Sequence, residues 1–307
     1  MKTIINKIAV SLGLLLLCEF IYSQQLPLYS QYMMNPFLLN PAIAGSVDYL
    51  PVILTVRRQW VGIDEGPSTQ ALSANYLFEY YNFGVGGYLF NDKFGAMQRT
   101  GIQLCGAYHI TLSSINSKLS FGLALKAFQF KFDETKFKPI DDADPKLTYG
   151  TINKFIPDAD FGAYIYNYNY YVGLSANQLI EFKINFGDSS VDKNAIIRHY
   201  YLIGGYKYNI NDNFEIEPSV LLKGTFKVPW QIDFNIKAYY QKNYWLGLSY
   251  RTSKDLIVMF GIKYIRYYIG YAFDYSLSTL RKYTNGSHEF MLGINVTEGK
   301  KKGSKLL

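Results

Sequence analysis

The 307-residue chain has little of what catalytic or disulfide-stabilised proteins are built from: 2 cysteines, 3 histidines, 3 tryptophans and only 18% charged residues. One cysteine, Cys18, falls in an amino-terminal stretch that reads as a secretory signal peptide over residues 1–23. Lys2 and Lys7 precede an apolar run from Ile8 to Leu17, and small Ser23 precedes the expected cut. Leu17, rather than a small residue, stands before Cys18, which argues against lipid attachment there. Without that segment Cys105 is alone, so an intrachain disulfide is excluded even in an oxidising compartment. Its apolar neighbours read as simple packing. Beyond the signal no apolar run approaches the roughly 20 residues a helix needs to cross a bilayer. A chain like this crosses a membrane, if it does, as strands.

Charge excludes a second class. The formal charge of +7 falls to +6 once Lys2, Lys7 and Glu19 leave with the signal. The excess is dispersed, apart from a basic tail at 298–307 holding Lys300, Lys301, Lys302 and Lys305. A nucleic-acid partner would need a concentrated basic face, and export removes the partner. No cofactor motif appears either: there is no HExxH, paired-cysteine or EF-hand spacing. The acidic run at 140–144 lacks the glycine turn and terminal glutamate of a calcium loop, and the glycines at 84–87 have no following helix to make a phosphate cradle. His109, His199 and His288 have no nucleophile and orienting carboxylate arranged around them. They read as interface or loop-edge imidazoles, and no enzymatic activity is expected.

What the chain does have is aromatics, with 29 tyrosines and 21 phenylalanines. Outer-membrane barrels use such residues in girdles at both membrane interfaces. The period-two pattern agrees. Tyr267, Ile269, Tyr271, Phe273 and Tyr275 alternate with Arg266, Tyr268, Gly270, Ala272 and Asp274. Likewise His288, Phe290, Leu292, Ile294 and Val296 alternate with Glu289, Met291, Gly293 and Asn295. One apolar face and one small or polar face is a barrel wall. Between 118 and 132 the parity changes, Leu119 to Leu125 on one face and Phe128, Phe130 and Phe132 on the other. A β-bulge near Lys126 would restore the phase; the alternative is three rings filling the lumen.

Fourteen such segments are predicted: about 49–59, 69–79, 82–91, 98–112, 117–132, 158–167, 169–178, 197–209, 212–223, 230–241, 243–251, 256–264, 266–275 and 287–297. Connections after even strands are tight. Those after odd strands are longer, at 60–68, 92–97, 133–157, 179–196, 224–229 and 276–286, with 252–255 the exception. Short turns on one side and long loops on the other describe an all-β transmembrane outer-membrane β-barrel of about 14 antiparallel strands, over 49–297, with the short side periplasmic. An even count puts both termini there. A secreted β-sandwich would also alternate, but without systematic turn lengths and with no place for the tyrosines. Lys126, Lys207, Arg251, Arg266, Asp274 and Glu289 fall on the polar parity and are the lumen candidates. They either line a water-filled channel or pair with one another and with a plug, because fourteen strands enclose more space than wall side chains fill.

The irregular segment at 24–48 carries the most specific signal. "LPLYSQYMMNPFLLNPAIAG" breaks twice at Asn35-Pro36 and Asn40-Pro41, ends in Gly45, and is followed by Arg58, Gln59 and Trp60. Together with "GPST" at 66–69 and "GSHEFMLG", which holds Ser287, His288 and Glu289, it resembles the PorP/SprF family of type IX secretion system membrane proteins. The resemblance spans both ends of the mature chain. It implies an outer-membrane barrel that works with the type IX machinery in secretion and cell-surface attachment of a large surface protein such as a gliding adhesin. The partners implied are that machinery, that protein and outer-membrane lipid, with no cofactor. The wall pattern by itself would serve a diffusion porin or small-solute transporter equally well. Two Asn-Pro breaks cannot form a wall strand. The segment is therefore expected at the periplasmic mouth, in the lumen as a plug, or against a partner; the alternative is a plain leader.

Overall fold

The computed structural model describes residues 29–136, 150–184, 194–226 and 228–297. The signal peptide, the acidic run at 140–144 and the basic tail lie outside the described residues. Strands are β1 Pro51–Arg58, β2 Ser68–Phe78, β3 Phe83–Phe94, β4 Met97–Leu112, β5 Ser117–Asp133, β6 Thr151–Tyr166 and β7 Tyr170–Asn177. They continue as β8 His199–Tyr206, running on as Tyr208–Asn209, then β9 Phe214–Thr225, β10 Val228–Tyr240 and β11 Tyr244–Arg251. The last are β12 Asp255–Tyr264, β13 Tyr267–Ser276 and β14 Ser287–Asn295. Each pairs antiparallel with its neighbour in sequence, and β1 pairs with β14 from Pro51↔Asn295 to Arg58↔His288, which closes the barrel. Closure satisfies every wall strand without leaving an edge in lipid.

The alternation read from the sequence is the alternation of the wall. Leu54, Leu72, Leu125, Leu246 and Leu292 point outward, while Ile53, Ala71, Ala124, Trp245 and Met291 are buried. Aromatics collect at both rims, Tyr81, Tyr208, Tyr244 and Tyr264 toward the short turns and Phe94, Trp230, Tyr275 and Tyr283 toward the long loops. Nine further tyrosines are buried in the interior, so the tyrosine content is not all girdle. A wide lumen takes bulky rings, and the hydroxyls of Tyr32, Tyr88, Tyr166 and Tyr171 are hydrogen-bonded there, whereas those of Tyr49 and Tyr268 are not.

The short turns at 79–82 and 113–116 are single 3-10 turns that end in a left-handed asparagine, Asn82 at φ 49° and Asn116 at φ 48°. Asparagine tolerates that conformation better than most residues.

Three expectations need correction. There is no bulge near Lys126: the β4–β5 register runs unbroken from Met97↔Phe132 to Leu112↔Ser117, and Phe128 and Phe130 point inward, at 2% and 4% exposure. The rings fill the upper lumen. Two connections expected to be long are tight, because β3 and β4 extend to Phe94 and Met97 and β9 and β10 to Thr225 and Val228. Finally, β6 starts at Thr151, seven residues before the expected 158. Its added residues include Asn153 and Lys154, and polar strand outside lipid leaves no apolar alternation to read.

Candidate functional site

The interior is occupied by the segment from Tyr29 to Tyr49. Tyr32, Met34, Phe37, Leu38, Ala42, Ile43 and Ala44 are all at or below 5% exposure. Its shape follows from its two Asn-Pro pairs. Pro36 and Pro41 each occupy the first position of a 3-10 turn, Pro36–Leu38 and Pro41–Ile43, where a missing N–H loses nothing. Asn40 caps the second turn by accepting from Ala42 N at 2.9 Å. Its amide nitrogen meanwhile donates to the carbonyls of Ala163 and Leu174, at 3.1 and 3.2 Å. Asn35 instead reaches the wall, donating to Ser73 Oγ at 2.9 Å. Gly45 takes φ +77°, and its N–H donates to Asn75 Oδ1 at 3.0 Å.

Backbone groups that such an irregular path strands inside a barrel must find partners, and the wall supplies them. Ser175 Oγ donates to Leu39 O at 2.7 Å, Ser120 Oγ to Ala42 O at 2.7 Å, and Lys237 Nζ to Met33 O at 3.3 Å. His109 Nε2 donates to Ala44 O at 2.9 Å, so its Nδ1 accepts from Tyr166 Oη, also at 2.9 Å. His109 is therefore a buried anchor and not an interface imidazole. Two wall glycines make room for the descent. A methyl at Gly122 would overlap the Ala42 backbone, and one at Gly162 would overlap the Asn40 side chain.

The segment has a direction. Near the short-turn end Ala44 meets Gly84 and His109, whereas Ser30 and Gln31 lie in the long-loop half. There the two N–H groups donate to the Glu289 carboxylate at 2.6 and 2.9 Å, and Ser30 Oγ donates to Asp274 at 2.7 Å. Arg57 joins both acids, at 2.6 Å to Asp274 and 3.4 Å to Glu289. Arg251 extends the cluster to Asp233 at 3.1 Å and Asp274 at 3.7 Å. All five charged residues are buried below 5%. The first strand, the last two strands and the plug thus meet at one ionic cluster. A second lies lower, where Glu217 binds Lys237 at 3.1 Å and accepts from Tyr171 Oη at 2.9 Å, with Lys207 3.9 Å away. Lys126 pairs with Asp160 at 2.7 Å. At the outer rim Glu65 holds Lys136 and Lys93, at 3.2 and 3.3 Å, and these keep its carboxyl below the usual range.

Of the lumen candidates, Lys126, Lys207, Arg251, Asp274 and Glu289 are inside and paired. Arg266 is not: it sits exposed in the turn after Tyr264, over the Tyr267 ring, because β13 begins one residue later than expected. Arg58 faces outward at the end of β1, and its neighbour Arg57 is the buried one. Inward parity of Ile53, Thr55 and Arg57 was the available signal. Asp233, Lys237, Glu217 and Ser30 were also missed, since nothing in their local sequence marks them as partners. Gln59 and Trp60 lead away from β1, and Trp60 N donates to Ser287 Oγ at 3.1 Å. His288 points outward, bonded to Tyr271 Oη at 2.7 Å, while adjacent Glu289 is fully buried.

A family model described as type IX secretion system membrane protein PorP/SprF matches residues 21–294. The chain belongs to that family. It is an outer-membrane β-barrel, and its family membership ties it to the type IX secretion system. No curated relative matches the sequence. Among solved structures the chain is similar to the CymD monoaromatic hydrocarbon channel, at 14% identity over 91% of this chain and 96% of that one, with a TM-score of 0.48. It is also similar to a Pseudomonas aeruginosa FadL homologue, at 9% identity over 89% and 95%, with a TM-score of 0.47. The Acinetobacter baumannii outer membrane protein Omp33 gives 11% identity over 82% and 99%, with a TM-score of 0.47. Likeness of that degree says nothing about what this PorP/SprF barrel handles.

Proposed function

We propose that this PorP/SprF barrel is a non-catalytic, closed outer-membrane anchor that assists secretion and cell-surface attachment of a large exported protein, such as a gliding adhesin, together with the type IX machinery. The filled lumen carries this reading. A diffusion porin needs a continuous aqueous path, and here the Tyr29–Tyr49 segment and three sets of ion pairs occupy the interior. Arg57, Lys126, Lys207, Lys237 and Arg251 each face a buried carboxylate, which favours holding over proton transfer. Short turns at 79–82, 113–116, 167–169, 241–243 and 265–266 are assigned to the periplasm, and the long loops to the cell surface.

Two measurements test this. Purified protein in planar bilayers should give no large steady current, whereas a porin would. Deleting the gene should remove one large exported protein from the cell surface while general outer-membrane permeability stays unchanged. A surface proteome indistinguishable from wild type would defeat the proposal.

A further inference from the structure

The barrel wall is uneven. β4, β5 and β6 have 16, 17 and 16 residues, whereas β1, β7 and β11 have 8. Crossing a bilayer takes only about 9–11. The surplus rises at the long-loop end, and its outward face is polar except at Phe155. Gln98 Nε2 and Thr100 Oγ1 both donate to Asn91 Oδ1, at 2.9 and 2.8 Å, and Gln129 on the next strand is exposed. Lower on the same strands the outward residues are Leu89, Leu104, Leu123 and Leu125. The sheet therefore leaves the lipid and stands in water.

β6 pairs with β5 along its whole length, from Asp133↔Thr151 to Lys118↔Tyr166, but with β7 only from Phe161 to Tyr166. The loop after β7 touches β6 at Ala159, which accepts from Leu179 N at 2.9 Å, and at Asp158, which accepts from Ile180 N at 3.2 Å. It then turns inward, where Phe182 and Ile196 pack with Phe128, Phe130 and Ile156. Among the described residues no strand pairs with the other side of Thr151–Pro157. Thr151, Asn153, Lys154, Phe155 and Pro157 are exposed, Phe155 to 70%. Unpaired N–H and C=O groups along an edge recruit other chains, so natural edges are kept short or blunted. This one extends about 23 Å at ~3.3 Å per residue, with a single proline at its lower end.

We infer that this edge is a docking strand for the exported protein, an extended segment of which adds to β6 at Thr151–Pro157 by backbone hydrogen bonding. Asn153 and Phe155 flank the added strand on its outward side. The inference rests on the surface-attachment role proposed above. A second copy of the barrel does not fit the edge. Antiparallel pairing of two β6 edges needs a two-fold axis across the strands, which would place the copies in opposite orientations in one membrane. Parallel pairing needs an axis along a strand tilted about 35–45° from the normal, and that would tip one copy out of the membrane plane. A polypeptide arriving at the cell surface is free of both restrictions.

The test places benzoyl-phenylalanine at 153 or 155 in the full chain, in its own cells, with position 121 on the lipid face as control. Irradiation should link both upper positions, and not the control, to the same segment of one exported protein identified by mass spectrometry. Asn153→Pro and Lys154→Pro should differ, because only one of the two removes an edge N–H; the other removes a bond to β5. The variant that retains a heat-modifiable barrel should lose surface display of that protein about tenfold. Adducts only within this chain, or display unchanged in both proline variants while gene deletion abolishes it, would overturn the docking edge alone. Display unchanged on gene deletion would overturn the attachment role as well.

Discussion

Replacing Glu289 by alanine removes the acceptor of Ser30 N and Gln31 N and one of the two carboxylates beside Arg57. All of these groups are buried, so no water replaces what is lost. Breaking a buried, hydrogen-bonded charge pair costs about 3–5 kcal/mol. Arg57 keeps Asp274 at 2.6 Å, which puts the expected loss near the lower end of that range. At ~1.4 kcal/mol per tenfold, about 3 kcal/mol shifts the docked-to-undocked ratio of the upper plug roughly a hundredfold. β14 itself keeps its ladder to β1 and β13, so the barrel should persist as a heat-modifiable band. Single-channel recording in planar bilayers reads the effect directly: brief openings, rare in wild type, should become about two orders of magnitude more frequent. Glu289→Gln, which retains one acceptor oxygen, should fall between the two. A variant that folds and stays as silent as wild type would refute the assignment of Glu289 as the plug's upper anchor.

Gly122→Val should push the plug off the wall at Ala42, at the roughly 1–3 kcal/mol typical of overpacking, and raise ion leakage without loss of the folded band. Leu292→Arg on the lipid face should cost about 2–4 kcal/mol if near the midplane and impair assembly more than Asn295→Arg, which points inward; equal yields of the two in the outer membrane would contradict the assigned faces. In a Cys105→Ala background, a cysteine at Thr135 should react with an impermeant thiol reagent on intact cells, and one at Asn116 only after lysis. Replacing Pro36 and Pro41 together by alanine should weaken plug docking mildly, by about 0.4–1 kcal/mol per residue through the freer undocked chain, measured as a several-fold rise in openings.

The wall was legible in the sequence because each residue on it reports its own surroundings. Leu292 faces lipid and Glu289 does not, and period-two alternation records that difference without any knowledge of the partner strand. The strands that rise above the lipid were read short for the same reason. Asn91, Gln98 and Asn153 face water on the outside, so apolar alternation ends before the hydrogen-bonded ladder does. The segment at 29–49 was recognisable as irregular and apolar from its two Asn-Pro pairs. Its partners were not, since Ser30 and Asp274 are 244 residues apart and Asn40 and Leu174 are 134 apart. Arg57 and Arg58 make the point most sharply. Adjacent and chemically identical, they differ only in parity, and parity alone sends one to the centre of the ionic cluster and the other to the outer rim.

That cluster also bears on how the barrel closes. β1 and β14 form the seam, the one wall pairing between strands at opposite ends of the chain. Arg57 stands on β1, Glu289 on β14 and Asp274 on β13, and the plug's Ser30 bonds to both acids. Before the seam forms, Arg57 on β1 stands at the opposite end of the open sheet from both acids. Closing the seam therefore completes the ion pairs and the upper docking of the plug in one event, and each makes the other more favourable. A chain whose plug is already threaded upward from Ala44 gains more from closing than one whose lumen is empty. The irregular motif near the amino terminus and the Ser287–Glu289 stretch near the carboxyl end are thus two halves of one structural element, separated in sequence and joined only in the closed barrel.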